Sequence, residues 1–429
     1  MTTSPLATTP PPAVDTTTPH PLPPLTSRFR RALKHPRLMH YNRLAALVLL
    51  VNAAYLVLGG PLDIRSLGHA CLANLALAVV VRQQYVVNFL FRVATWAPTS
   101  WPLKVRWTLG KVYHFGGLHV GGALAGTLWF GGLTVAVTAR GGDPGLTLVS
   151  WALAALLAGI VATALPPFRS RFHDHFEKIH RFGGWAALAL FWTHTALSGA
   201  GVPEFGVLAV VTFSVALPWT RLRKVRVHVE RPSSHVALAR FDYGEKPFAG
   251  SSTALSRSPL KEWHSFANVP APDDPGFRLT ISRAGDWTAS FIDDAPEHVW
   301  VKGITTAGVA NIEVLFKKVV YVATGSGIGP CLPHLLAAEV PSRLVWATRA
   351  PRTTYGDALV DEILAVQPDA LVWDTSVYGK PDMVRLAYTA YRDFGAEAVI
   401  CISNKKLTWQ VVQGLERRGV PAYGAIWDS

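Results

Sequence analysis

Cysteine is scarce. Cys71, Cys331 and Cys401 are the three in the chain and lie far apart, which excludes a disulfide framework and a clustered zinc site. The soluble part is therefore expected in a reducing compartment. Charge is scarce too, at 16% of residues against about a quarter in soluble domains. Half of the 429 residues are hydrophobic, mean hydropathy is +0.24 and Trp reaches 15, which together indicate a membrane protein with a soluble part attached. A net charge of +13 is compatible with nucleic acid or with a membrane surface. The basic residues cluster beside apolar segments rather than along one soluble face, so the expected partner is the lipid bilayer and not nucleic acid. The apolar segments also lack the paired carboxylates and broken, repeat-related helices of transporters.

Residues 1 to about 27 are rich in Thr and Pro, have no apolar core of a signal peptide, and are expected to form a disordered tail. With the basic stretch from Arg28 to Arg37 the tail extends over 1–40. Apolar runs follow at about 44–59, 67–81, 112–138, 146–165, 182–200 and 202–219, each near the ~20 residues needed to cross a bilayer. Six spans are expected within a transmembrane domain at 41–220, the second interrupted early by Arg82. Basic residues crowd ahead of the first span, at Arg82, Arg92, Lys104, Arg106 and Lys111, at Arg169, Arg171, Lys178 and Arg181, and at Arg221, Arg223, Lys224 and Arg226. The alternate loops are short and nearly neutral. The positive-inside rule then puts both termini and the soluble half on the cytoplasmic side, as an even span count also requires.

Beyond the spans the periodicity changes. Val225, Val227 and Val229 alternate with polar residues, and short strands, including Phe277 to Phe291, predict a small β-barrel or sandwich over 221–316. From 317 to 429 strands at 319–324, 343–348, 370–374 and 397–402 alternate with helices, the pattern of a parallel α/β sheet. Its first strand runs into Gly325-Ser326-Gly327-Ile328-Gly329-Pro330. A strand, a glycine-rich turn and a helix start bring free backbone N–H groups and a helix dipole together, which suits a phosphate. Alone, the turn is equally consistent with a tight β–α connection.

Taken with Glu262-Trp263-His264-Ser265-Phe266 and Ile281 to Thr288 upstream, this order resembles flavin-dependent reductases. The chain looks like the ferric reductase and NADPH oxidase superfamily, and most like the fungal transmembrane flavoproteins of the TmpA/TmpL type. That resemblance implies a six-helix membrane bundle, an FAD-binding β-barrel and an NAD(P)-binding α/β domain. It implies that Trp263, His264, Ser265 and Phe266 lie along the flavin, with Ser265 and Ala267 departing from the family's His-Pro-Phe-Thr. It implies that the turn containing Gly303, Thr305 and Thr306 meets the flavin pyrophosphate, a match of position only. Arg349, Arg352 and Lys380 would meet a nucleotide phosphate, and NADPH or NADH would be the donor. Cys401 would lie near the nicotinamide and Trp427 over the flavin. The bland alternatives are a buried cysteine, a solvated arginine loop and an ordinary strand end.

Histidines suggest haem b. His180 and His194 are nearly four turns apart, about 21 Å along one helix, and His114 and His119 lie on the third span. Aligning Phe115-Gly116-Gly117 with Phe182-Gly183-Gly184 sets His114 opposite His180 and Thr127 opposite His194. One inner haem at most is expected; a haem-free membrane domain is the alternative. The expected function is a membrane flavoprotein passing electrons from NAD(P)H through FAD to haem, or to a small-molecule or protein acceptor in cytosol or lipid. The rival is a degenerate reductase fold that senses redox state or nucleotide and signals through its membrane helices.

Overall fold

A computed structural model describes residues 20–60, 62–270 and 275–425. The apolar first half folds into helices α1 (Arg28–Leu33), α2 (His40–Leu58), α3 (Ile64–Val80), α4 (Gln84–Thr95), α5 (Leu103–Leu109), α6 (Gly116–Ala139), α7 (Pro144–Ala164), α8 (Pro166–Arg171), α9 (His173–Leu197) and α10 (Val202–Thr220). Polar caps set several boundaries. The Asp63 carboxylate accepts from Ser66 N at 2.8 Å, and Asp143 accepts from Leu146 N at 2.9 Å with Pro144 in the first turn of α7. Small residues decide the packing. Gly117 and Gly121 lie against the α2 backbone, Gly122 and Gly126 against α3, so a Cβ at 117 would stand 2.0 Å from the Tyr41 carbonyl oxygen.

Helices stand at all six expected spans, but fewer qualify as spans. Among the described residues α2, the Val112–Ala139 segment containing α6, α7 and α10 are long and apolar enough to cross a bilayer. A fifth exists if α3 and α4, bent by 77° at their junction, are counted as one. α9 falls short because Asp174, Glu177, Lys178 and Arg181 occupy its first turns. The tail expected to be disordered is ordered from residue 20 onward. His20 bonds Asp393 at 2.7 Å, and Thr26 N donates to the Arg417 carbonyl at 2.9 Å; the rest of the tail lies outside the described residues.

Eight short strands follow: β1 (Leu222–Arg226), β2 (His228–Glu230), β3 (Val236–Phe241), β4 (Ser251–Ser256), β5 (His264–Ala267), β6 (Phe277–Ser282), β7 (His298–Lys302) and β8 (Thr306–Ala307), with α11 (Asp286–Asp294) between β6 and β7. They pair antiparallel as β1-β7-β4-β5, with β8 on β4, and as β2-β3-β6. Val225, Leu255, Val299 and Val301 from one sheet meet Ala239, Phe241, Leu279 and Ile281 from the other, so among the described residues the unit is two facing sheets, linked beyond β5 by the Val269–Arg278 bridge. In the stretch Phe277–Phe291, expected as short strands and turns, β6 is followed by a helix, because Gly285-Asp286 starts α11, whose Phe291 and Ile292 join this core.

The last unit comprises β9 (Val319–Thr324), α12 (Ile328–Ala337), β10 (Ser342–Thr348), α13 (Pro351–Tyr355), α14 (Asp357–Val366), β11 (Leu371–Asp374), α15 (Thr375–Tyr378), α16 (Met383–Phe394), β12 (Ala398–Ile402), α17 (Lys405–Glu416) and β13 (Ala422–Tyr423). Its five strands are parallel in the order β11-β10-β9-β12-β13. Continuous Val/Ile/Ala strands bury both faces, one under α12 and α14 and the other under α16 and α17.

The two halves are joined by buried charge. Arg106 forks onto Glu397 at 2.6 and 3.1 Å and also donates to the Leu315 carbonyl at 2.8 Å. Lys111 reaches Glu416 at 2.6 Å and the Ala422 carbonyl at 2.7 Å, while Trp107 Nε1 donates to Glu416 at 3.1 Å. Burial pushes the Glu416 carboxyl up, but Lys111 and Lys34 outweigh it and hold the group ionised below the usual range.

Candidate functional site

With β9 central and its neighbours reached by connections in opposite directions, the strand order reverses between β9 and β12. A doubly wound sheet opens a crevice at the carboxyl ends of its strands at such a point. The glycine-rich turn sits there. Gly325 adopts φ +50° and its carbonyl accepts from Trp346 Nε1 at 3.0 Å. Thr324 and Ser403 bond across the ends of β9 and β12. Gly327 has no room for a side chain, since a Cβ would lie 2.0 Å from the Ile402 carbonyl oxygen. At Gly329 a Cβ would lie 3.2 Å from Thr280 Cβ, on the outer face of β6. Ser326 is exposed at the lip, Ile328 is buried and Pro330 half-buried. The turn thus meets the antiparallel unit across a seam, and there Thr280 Oγ1 is buried without a partner.

The flavin candidates divide. His264 and Phe266 do not stand free. Trp287 of α11 lies 4.5 Å from the His264 ring and 5.9 Å from Phe266, with Phe291 continuing the stack at 5.4 Å. His264 Nε2 is nonetheless buried and unpartnered. Burial holds its pKa below the usual histidine range, against the opposing pull of Glu177, Glu262 and Asp174. Trp263 donates its indole N–H to the Pro259 carbonyl at 2.9 Å and lies 4.6 Å under the Lys302 ammonium; Ser265 is exposed. Glu177 and Arg181 of α9 clasp this segment. Trp263 N donates to Glu177 at 3.3 Å, and Arg181 donates to the Lys261 carbonyl at 2.6 Å.

At the 303–308 turn most N–H groups are already used. Gly303 N donates to the Arg221 carbonyl at 3.0 Å, and Gly308 N to the Gly250 carbonyl and Asn311 Oδ1 at 2.9 Å each. Asn88 of α4 accepts from Ala307 N and donates to the Thr305 carbonyl, both at 2.9 Å. Thr306 pairs with Ser252 in β8. This turn does not fit a pyrophosphate as it stands, whereas beside Gly325–Pro330 the buried Thr280 Oγ1 has no partner.

Cys401 is fully buried in the core beside Val322 and Val411, and burial pushes its thiol up to about 12. Arg352 is held by Asp357 at 2.9 Å and Asp361 at 2.7 Å, and the Asp361 bond leads in raising its pKa. Arg349 and Lys380 are exposed on the rim, and Trp427 lies outside the described residues.

The histidines pair differently from the expected register. His119, not His114, faces His180, with ring centroids 6.0 Å apart at 69°. His119 Nδ1 bonds the Ala78 carbonyl at 2.8 Å, which leaves Nε2 as the free nitrogen. His114 instead packs on His40 at 5.9 Å and on Tyr113 at 4.2 Å. His194 meets Phe130 at 5.3 Å, not Thr127, whose hydroxyl bonds back to Ala123. Asn88 and Thr280 carry no signal in the sequence that marks them as site residues on their own, while Trp287 lies in the Ile281–Thr288 stretch that carries the resemblance without being assigned to the His264 ring. The recurrence of Val87, Phe91 and Ala94 on one face of α4 is the signal that could have revealed Asn88 beside it.

Residues 309–429 match the family described as the C-terminal domain of adenylate-forming reductase 03009. Two curated proteins of Coprinopsis cinerea are similar along most of the chain. Adenylate-forming reductase 03009 is 42% identical over 424 residues, covering 94% of this chain and 41% of that protein. Adenylate-forming reductase 06235 is 40% identical with the same coverage, 94% and 41%. This chain resembles adenylate-forming reductases. It spans about 41% of the length of these relatives. Among solved structures, a ferredoxin NADP+ reductase from Neisseria gonorrhoeae with bound FAD and NADP aligns at 14% identity and TM-score 0.39, over 48% of this chain and 98% of that one. A flavohemoglobin from Malassezia yamatoensis with bound FAD and heme aligns at 12% identity and TM-score 0.41, over 89% and 98%. Likenesses of that size transfer neither cofactor to this chain.

Proposed function

We propose that the chain is a membrane-bound oxidoreductase that takes electrons from NAD(P)H through FAD and delivers them toward its membrane helices. The observation that carries this reading is the glycine-rich turn at the switch point of a parallel sheet, facing an antiparallel unit across a seam where Thr280 Oγ1 is buried without a partner. NAD(P)H would bind there, and FAD along the His264–Phe266 strand would supply hydride acceptance and release of single electrons. The turn and the α12 N-terminus would hold a diphosphate, Thr280 would donate to or accept from the ligand, and Trp346 fixes the turn through the Gly325 carbonyl. The His264–Trp287–Phe266 stack forms an aromatic wall, and α9 links it to the membrane, because Arg181, next to His180, grips the strand leading to His264. A single haem b would be held by His119 and His180. The Ala78 carbonyl fixes the His119 tautomer that leaves Nε2 free to ligate.

A second reading is favoured by one specific feature, the 303–308 turn filled by Asn88. In it the fold binds a nucleotide without turnover and biases the membrane helices. An absorption spectrum of the purified full chain, before and after addition of NADPH or NADH, separates the two. Flavin bands that bleach on addition are expected, with one Soret band if His119 and His180 hold haem. Purified protein that takes up no FAD even when it is supplied, yet binds nucleotide, would leave only the second reading.

A further inference from the structure

Where the chain leaves α3 it turns by 77° into α4. At about 18 Å, α4 is too short to cross a bilayer on its own. It is two-faced. Val87, Phe91 and Ala94 are buried, and Val87 and Phe91 join the core beneath the parallel sheet. Along the opposite face Tyr85, Phe89, Val93 and Trp96 are exposed by 51, 62, 56 and 86%, with Arg92 exposed between them. Trp101 and Val105, exposed by 46 and 41%, continue this apolar surface beside Lys104. Between Asp63 and Asp143 the sequence holds no Asp or Glu. An exposed face of aromatic and apolar side chains with Arg92 beside it and no acidic residue in its own segment is poorly suited to water and well suited to the boundary between lipid headgroups and acyl chains.

We propose that α4 lies in the plane of the bilayer, its Tyr85–Phe89–Val93–Trp96 face sunk into the headgroup layer. The occupant of that surface is phospholipid. The continuity of α4 with α3 sets its depth, because a helix leaving the hydrocarbon at a sharp bend enters the interface. Aromatic side chains concentrate at that level. The inward side of α4 acts as well. Its Asn88 grips both Thr305 and Ala307, so the helix ties the 303–308 turn to the membrane surface. The inference rests on the membrane reading of the apolar helices and is independent of the redox reading.

The test is photo-crosslinking of the full chain in nanodiscs of phosphatidylcholine and phosphatidylserine. Benzoylphenylalanine replaces Phe89 or Trp96, both exposed enough to accept it without disturbing the core, and Val377, exposed on the nucleotide unit, serves as the control. Phospholipid adducts are expected by mass at 89 and 96, several-fold above the control. Adducts joining two copies of the chain would assign the face to self-association, and adducts to the nucleotide unit would place it inside the fold. Either result, or no lipid adduct above the control at both positions, overturns the proposal.

Discussion

Gly327 and Lys302 carry requirements that differ from the usual account of their surroundings. The glycines of a nucleotide turn are commonly explained by the approach of a pyrophosphate, but at Gly327 the obstacle is the protein's own Ile402 carbonyl. Gly327→Ala should therefore cost about 3 kcal/mol through overpacking and abolish NAD(P)H oxidation. The loss of stability should be the same with and without nucleotide, since the clash is internal. A variant as stable as the parent but unable to oxidise NAD(P)H would place the requirement on the ligand instead. Lys302, stacked over Trp219 and Trp263 at 5.0 and 4.6 Å, has its pKa lowered to about 8, by burial first and then by the charge of Arg181. From pH 8 up to the ordinary lysine value, the unfolded chain binds the extra proton, so stability contributed here rises with pH. Below pH 8 both states are charged and the full penalty stands. Unfolding of Lys302→Met and the parent, compared across pH 7 to 10, should show the parent gaining on the variant by about 2 kcal/mol. A constant difference would mean that the ammonium is solvated in the folded protein.

At the scale of elements, legibility follows the kind of periodicity each segment carries. Four of the five parallel strands are readable to within a residue or two because both faces are buried, which writes them as unbroken apolar runs such as Val319–Ala323, whereas the two-residue β13 is too short to show. β6 and α11 merge in the sequence because Phe277–Phe291 is rich in apolar residues throughout, and only Gly285 marks the change of period. α4 reads as a basic loop. Its apolar residues come in runs of two or three broken by Asn88 and Arg92, too short to mark a span, and its partners, Thr305 and Ala307, lie more than two hundred residues away. The histidine register fails for a local reason. Val112–Phe115 is a 3-10 turn, so the Phe-Gly-Gly at 115 enters α6 with a different rotation from the one inside the regular α9. That difference exchanges His114 for His119 opposite His180. The two stretches that form the wall, Glu262–Phe266 and Ile281–Thr288, are legible, but their contact is not, because Trp287 reaches His264 only after the sheets have folded.

For the whole molecule, the position of the soluble units decides where electrons can go. The basic segments are the ones that touch those units: Arg181 grips Lys261, Arg106 forks onto Glu397 and Lys111 reaches Glu416. On the proposed membrane reading, the positive-inside rule would put this end on the cytoplasmic side. His119 and His180 stand near it, His180 next to the residue that holds the segment proposed to line the flavin. His194 lies about 21 Å further along α9, its ring against Phe130 and its Nε2 buried without a partner. No second histidine faces it among the described residues, so if the proposed haem is held by His119 and His180, a relay through the bilayer would have an inner station and no outer one. Crossing the rest of the ~30 Å of hydrocarbon in one step is too far for useful electron transfer. The chain is therefore expected to reduce a cytosolic or lipid-soluble acceptor and not one on the far side. Sealed right-side-out vesicles loaded with NADPH should leave an impermeant ferric chelate outside unreduced, while a membrane-permeant quinone is reduced. Rapid reduction of the external chelate, together with two haems per chain in the spectrum, would mean that another side chain completes a site at His194.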